Sequence, residues 1–213
     1  MIILLGMPKS GTSSFQSLFT QLGYNSYHWK KDENYIGKLI ENNKKNNRPL
    51  LCDFSTTDVI TQMDVCIDEN NCIWPQITDY KQIIRENPDA IFILNKRNPE
   101  ELLSSFKRWS NFDKRLYRYN PEIILDKTDK GFIKFIKAFY LEIESYFEKN
   151  PNLKFITYDI NNDKIEKLKK YINIENMIDF PKENVNHKTI IPKENLNHTN
   201  YLTTILSWIK TFI

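Results

Sequence analysis

Apolar residues along the chain fall into two kinds of run. Short, nearly continuous stretches, Ile2–Leu5, Ala90–Asn95 and Leu153–Tyr158, read as strands buried on both faces. Longer stretches repeat apolar residues every three or four positions and read as amphipathic helices. From Thr12 onward, Phe15, Leu18, Phe19 and Leu22 share one face, and Gly23 is the expected C-cap. Ile77, Tyr80, Ile83 and Ile84 mark a helix over Thr78–Asn87 that Asn87-Pro88-Asp89 stops. Pro99 starts another, running to Trp109. The longest pattern spans Lys130–Asn150, with Phe132, Phe135, Ile136, Phe139, Ile143 and Phe147 in register, and Pro151 breaks it. Asp163–Tyr171 predicts a further amphipathic helix.

Between these runs the signals are weaker. Tyr24–Trp29 reads as a short strand, Tyr35–Glu41 as a short helix and Leu50–Phe54 as a strand. Ser55–Ile60 has the look of a helix start capped by Ser55 or Thr56. Met63–Asp68 is apolar-rich and ends in the acidic pair Asp68-Glu69, and Ser110–Tyr119 is basic and aromatic without an assigned element. Strands alternating with helices predict a three-layer α/β sandwich around a mainly parallel sheet. A chain of 213 residues fits one domain, 1–213. Its tail, about 181–213, carries the near-repeat Pro181–Lys188 and Pro192–Thr199, a surface segment or a lid over a ligand.

Composition narrows the function classes. A hydrophobic share of 40% supports a packed core, and a net charge of +3 is too small to call for a nucleic-acid partner. No run approaches the roughly 18 apolar residues of a membrane span. No signal peptide precedes the first strand, so a cytoplasmic location is expected. Cys52, Cys66 and Cys72 are odd in number and form no CxxC pair, which predicts reduced thiols. No His/Cys/Asp cluster has metal-ligand spacing, so no metal is expected. Trp29 and Trp74 are candidates to line a pocket, with core packing as their default role.

The chemistry concentrates at the first strand–loop–helix unit. Gly6 to Gly11 is a tight loop between a buried strand and a helix N-terminus, where backbone N–H groups and the helix dipole favour an anion. Against the phosphate loop of ATPases, GxxxxGK(S/T), Thr12 stands at the lysine position and Ser13 at the hydroxyl position. The loop's lysine is Lys9, three residues earlier. The loop suits a phosphate-like anion but is wired differently from an ATP loop.

Pro8-Lys9-Ser10-Gly11-Thr12-Ser13 resembles the 5′-phosphosulfate loop of the sulfotransferase family, usually PKSGT or PRTGT. A second stretch is similar to that family's 3′-phosphate motif, RxPxxxxxS: Arg97-Asn98-Pro99 ends a strand and Ser105 follows eight residues after Arg97. The resemblance covers Met1 to about Asn186 and implies a P-loop-like fold. It also implies 3′-phosphoadenosine 5′-phosphosulfate (PAPS) as donor, with adenosine 3′,5′-bisphosphate as product. Lys9, Ser10, Gly11, Thr12 and Ser13 would then hold the 5′-phosphosulfate, and Arg97 and Ser105 the 3′-phosphate. Lys9 would also act in catalysis. Many relatives carry a histidine base between the two motifs, in a Thr-His-x-Pro setting; that setting is missing here, and the only early histidine is His28. One branch has an aspartate instead, together with an LG…YH segment, which Leu22-Gly23 and Tyr27-His28 match. By that likeness Asp68 is the base, with Asp64, Asp53 and His28 in reserve. The acceptor would be a glycan or small molecule chosen by the loops Asp32–Arg48 and Ser110–Asp129. Two rivals remain: a P-loop kinase or NTPase binding ATP–magnesium, and a catalytically silent relative.

Overall fold

In the computed structural model, residues 1–68, 71–174 and 179–183 are described. The chain opens with strand β1 (Ile2–Leu4), helix α1 (Thr12–Gln21) and strand β2 (Ser26–His28). Two short strands, β3 (Lys30–Lys31) and β4 (Asn34–Tyr35), lead into α2 (Ile36–Lys45). Strand β5 (Val59–Gln62) precedes a hairpin of β6 (Val65–Cys66) and β7 (Cys72–Ile73). Helices α3 (Pro75–Thr78) and α4 (Tyr80–Glu86) then lead to β8 (Ile91–Lys96). Helices α5 (Pro99–Arg108), α6 (Phe112–Tyr119) and α7 (Asp129–Glu148) precede the last strand, β9 (Lys154–Asp159).

The main sheet runs β4-β3-β2-β5-β1-β8-β9. Its five strands from β2 to β9 are parallel, and β3 and β4 are added antiparallel at one edge. Alternation along each strand feeds two cores. Ile3, Leu5, Ile60, Phe92 and Leu94 face the layer that holds α2, α4, α5, α6 and α7. Ile2, Leu4, Val59 and Ile93 face Phe15, Leu18 and Phe19 of α1 on the opposite side. The domain is therefore the expected α/β sandwich, with β1 central. The loop after β1 emerges at the carboxyl ends of the strands, where open α/β sheets bind ligands.

Several local expectations change. Leu50–Phe54 is not a strand but ends in a 3-10 turn, Cys52–Phe54. The expected helix from Ser55 is instead the approach to β5. Its β-branched Val59, Ile60 and Thr61 are fully buried between β2 and β1, and that burial overrides the capping signal of Ser55 and Thr56. Helix Thr78–Asn87 begins earlier and is split into α3 and α4 at Asp79, while Asp163–Tyr171 is a 3-10 segment, Ile165–Lys170. Ser110–Tyr119 contains α6. The expectation of reduced thiols is overturned for two of the three cysteines. Pairing of β6 with β7 sets Cys66 opposite Cys72, and the two form a disulfide; Cys52 is free. That pairing depends on the hairpin register, which the cysteine spacing alone does not reveal. The near-repeat lies outside the described residues beyond position 183.

Candidate active site

The loop between β1 and α1 is held in shape from below. Lys9 (φ 65°) and Gly11 (φ 88°) both adopt the left-handed conformation. This curls the chain so that successive N–H groups turn inward, as in anion-binding nests. Asn95 of β8 pins the loop at both ends. Its Oδ1 accepts from Gly6 N (2.9 Å), and its amide donates to Ser10 O (3.2 Å) and Ser10 Oγ (2.6 Å). Gly6 permits this contact, since a Cβ there would stand 2.2 Å from the Asn95 carbonyl oxygen. A Cβ at Gly11 would meet Ile160 at 2.7 Å.

Above the loop opens a cavity of about 1260 Å³. Lys9, Gly11, Thr12, Ser13, Arg97 and Ser105 all line it. The two stretches singled out in the sequence thus meet: Arg97 Nη1 donates to Lys9 O (3.2 Å). Ser105 reaches the same cavity because α5 starts directly after β8. Asn98 caps that helix by accepting from Glu100 N and Glu101 N, and Pro99 occupies its first turn. Ser10 differs from its neighbours. It is buried, its hydroxyl donates to Met7 O and accepts from Asn95, and it does not line the cavity. Its side chain shapes the loop.

Arg108 was not anticipated. It stands one helical turn beyond Ser105 and lines the same cavity, a placement readable from the i, i+3 spacing once Ser105 is fixed. Lys9 feels the charge of both arginines. Partial burial first, then the charges of Arg97 and Arg108, hold its pKa below the ordinary lysine value. Its ammonium also sits over the Trp109 ring, 5.1 Å from the centroid. Tyr158, Ile160 and Phe180 add apolar wall, and Glu183 N donates to Ser14 Oγ (3.0 Å), drawing the residues after Phe180 against α1.

The flank toward β5 and β2 is built differently. Thr12 Oγ1 donates to Gln62 Oε1 (2.9 Å), and Gln62 Nε2 donates to Asp64 (3.2 Å). Gln76 Nε2 donates to the other Asp64 oxygen (2.9 Å). Asp64 is fully buried. Loss of solvent pushes its pKa up to about 7, against the lowering effect of its hydrogen bonds from Gln76 and Gln62. His28, paired with Gln62 in the sheet, lines the cavity with its neighbour Trp29. Burial lowers the His28 pKa to about 4.

The expected base, Asp68, is elsewhere. It lies exposed in the turn between β6 and β7, where the Asn71 side-chain amide donates to both of its carboxylate oxygens (2.8 and 2.9 Å). It is not among the cavity residues. Asp53 is likewise outside, accepting from the Asn43 amide (2.8 Å). Trp74 is core, stacked on Phe112 with centroids 5.6 Å apart. Among the described residues, no group of three or more His, Cys, Asp or Glu side chains is placed to hold a metal, and no helix is long and apolar enough to cross a membrane.

The sulfotransferase domain family matches this chain over residues 1–184, and the chain belongs to that family. No curated protein matches it.

Proposed function

We propose that this sulfotransferase takes PAPS as its donor and transfers the sulfuryl group to a hydroxyl or amine of a carbohydrate or small-molecule acceptor. One observation carries the reading: Lys9, Arg97 and Arg108 converge with Ser13 and Ser105 on one cavity at the glycine loop. Three clustered cations repel one another; Glu101, 3.3 Å from Arg97, offsets only part of that repulsion, and an anion with two separate charged ends would offset the rest. The residues fit such a group. The loop amides and Lys9 would hold the 5′-phosphosulfate, and Arg97, Ser105 and Arg108 the 3′-phosphate. Tyr158 and Phe180 offer apolar surface for a base.

When bound, the donor supplies an activated sulfuryl group. Lys9 stabilises the charge that grows on the leaving phosphate oxygen, a fixed cation aimed where charge develops. The arginine forks fix the far phosphate and so the donor's orientation. A kinase reading is disfavoured because Thr12, with its hydroxyl committed to Gln62, stands where an ATP loop has its lysine.

Titration calorimetry tests the donor. Adenosine 3′,5′-bisphosphate should bind without magnesium and more tightly than ATP–magnesium. The reverse preference would replace this reading with the kinase one. Consumption of radiolabelled PAPS across sugars, alcohols, phenols and amines separates an enzyme from a silent relative.

A further inference from the structure

Sulfuryl transfer to a hydroxyl needs a group that accepts the acceptor's proton, and neither Asp68 nor Asp53 lines the cavity. We propose that His28 is that group, its imidazole held with Nδ1 protonated and Nε2 open as the proton acceptor. The proposal rests on the donor reading above.

The tautomer follows from a chain of hydrogen bonds whose ends are fixed. Gln16 Nε2 donates to the Ser26 carbonyl (3.0 Å), which can only accept. The Gln16 amide is thereby oriented, and its Oε1 must accept. Thr61 Oγ1 has a single proton and two acceptors within reach, Gln16 Oε1 (2.9 Å) and Tyr27 O (3.2 Å). With its proton directed there, Thr61 Oγ1 accepts from His28 Nδ1 at 3.0 Å. Nε2 is left with a lone pair, and among the described residues no hydrogen bond engages it. Fixing one ring nitrogen sets the role of the other.

Placement agrees. His28 ends β2 beside Gln62, and Gln62 holds the Thr12 hydroxyl at the loop. His28 therefore approaches the cavity from the side opposite Arg97 and Ser105, leaving the donor grip clear. Its neighbour Trp29, in the left-handed region at φ 64°, lines the cavity with its ring against Tyr35 (centroids 5.0 Å apart). That ring offers an apolar face to a sugar or phenol acceptor.

The step balances. The acceptor oxygen forms a bond to sulfur as the bond from sulfur to the 5′-phosphate oxygen breaks. The hydroxyl proton passes to Nε2, and the imidazolium releases it to water. The products are the sulfate ester and adenosine 3′,5′-bisphosphate.

The test compares wild type with His28→Gln and Thr61→Val. PAPS consumption is followed with a monosaccharide, a simple alcohol, a phenol and an amine, and water serves as the remaining acceptor. Bisphosphate affinity serves as the control for folding. His28→Gln should lose roughly 10²-fold or more in kcat while binding bisphosphate as wild type does. Thr61→Val should weaken the Nδ1–H preference in ¹⁵N spectra of the imidazole and lower kcat less. Normal turnover by His28→Gln, no PAPS consumption by a wild type that binds bisphosphate, or an Nε2-protonated ring in wild type would overturn the proposal. Failure of wild type to bind bisphosphate would instead sink the donor reading, and this inference with it.

Discussion

The two flanks of the glycine loop handle polarity in opposite ways. Toward β8, Lys9, Arg97 and Arg108 are charged, partly solvated and crowded together. Glu101 pairs with Arg97 at 3.3 Å and offsets part of the repulsion, and an anion would offset the rest. Toward β5 and β2, the polar groups are buried or half-buried and bonded mostly to one another: Thr12 to Gln62, Gln62 and Gln76 to Asp64, His28 to Thr61, Thr61 to Gln16. One flank concentrates positive charge for a ligand, while the other is mostly internally bonded framework that leaves the His28 Nε2 open. Substitutions on the first flank should change binding and rate with little effect on stability. On the second they should change stability and its dependence on pH, with the rate affected as well at His28 and Thr61.

The largest expected effect is at Lys9. Lys9→Met should lower kcat roughly 10²- to 10³-fold, the usual cost of losing one preorganised charge donor. Its melting temperature should not fall, because a like-charge contact has been relieved. A clear drop in melting temperature would show that Lys9 belongs to the framework instead.

Arg97→Ala comes next. Loss of a charge-assisted hydrogen bond of about 1.5–3 kcal/mol should weaken adenosine 3′,5′-bisphosphate roughly 10- to 100-fold. Adenosine 5′-phosphate, which lacks the second handle, should be much less affected. Equal losses for both nucleotides would mean that Arg97 does not select the 3′-phosphate.

Gly6→Ala tests the floor of the loop. The new methyl would press on the Asn95 backbone carbonyl, which the sheet does not let retreat. Overpacking of this kind costs about 1–3 kcal/mol, measurable by urea unfolding.

The smallest effect lies in pH slopes. The folded His28 binds its proton only near pH 4, against 6.5 for the free side chain. The unfolded chain thus holds more protons in that window, and this group's contribution to stability is lost as pH falls. Asp64 does the reverse. Its folded pKa of about 7 exceeds the ordinary 3.8, so its contribution is lost as pH rises through 7. Between about pH 4 and 6.5 the two slopes oppose and partly cancel in wild type. His28→Gln should leave stability falling with pH, and Asp64→Asn should leave it rising. Parallel curves for the two variants, by urea midpoints at several pH values, would remove the framework's titration from the comparison.

The charged flank was largely legible in the sequence and the framework flank was not. Lys9, Arg97 and Ser105 stand in two short stretches that resemble the family's motifs, each at a strand-to-helix junction, so a linear match finds them. Arg108 needed only one more helical turn. By contrast, β5 was hidden because Thr61 and Gln62 look like loop residues until β1 and β2 close around them. The roles of Gln62, Asp64 and His28 exist only through that sheet pairing. The same holds for Cys66 and Cys72, whose bond follows from strand register, and for Asp68, which a linear match aligned with a base but which the hairpin turns outward.

Asn95 has a consequence beyond holding the loop. Because it ties Gly6 and Ser10 to β8, and β8 runs into Arg97, the two proposed anion grips belong to one hydrogen-bonded unit. Their separation works as a caliper. On the proposed donor reading, a nucleotide whose phosphate sits at the neighbouring ribose position, or whose chain is one phosphoryl longer, would have to strain its own torsions to touch both jaws. Discrimination among nucleotides would then be set by the length of the ligand and not by the strength of either jaw.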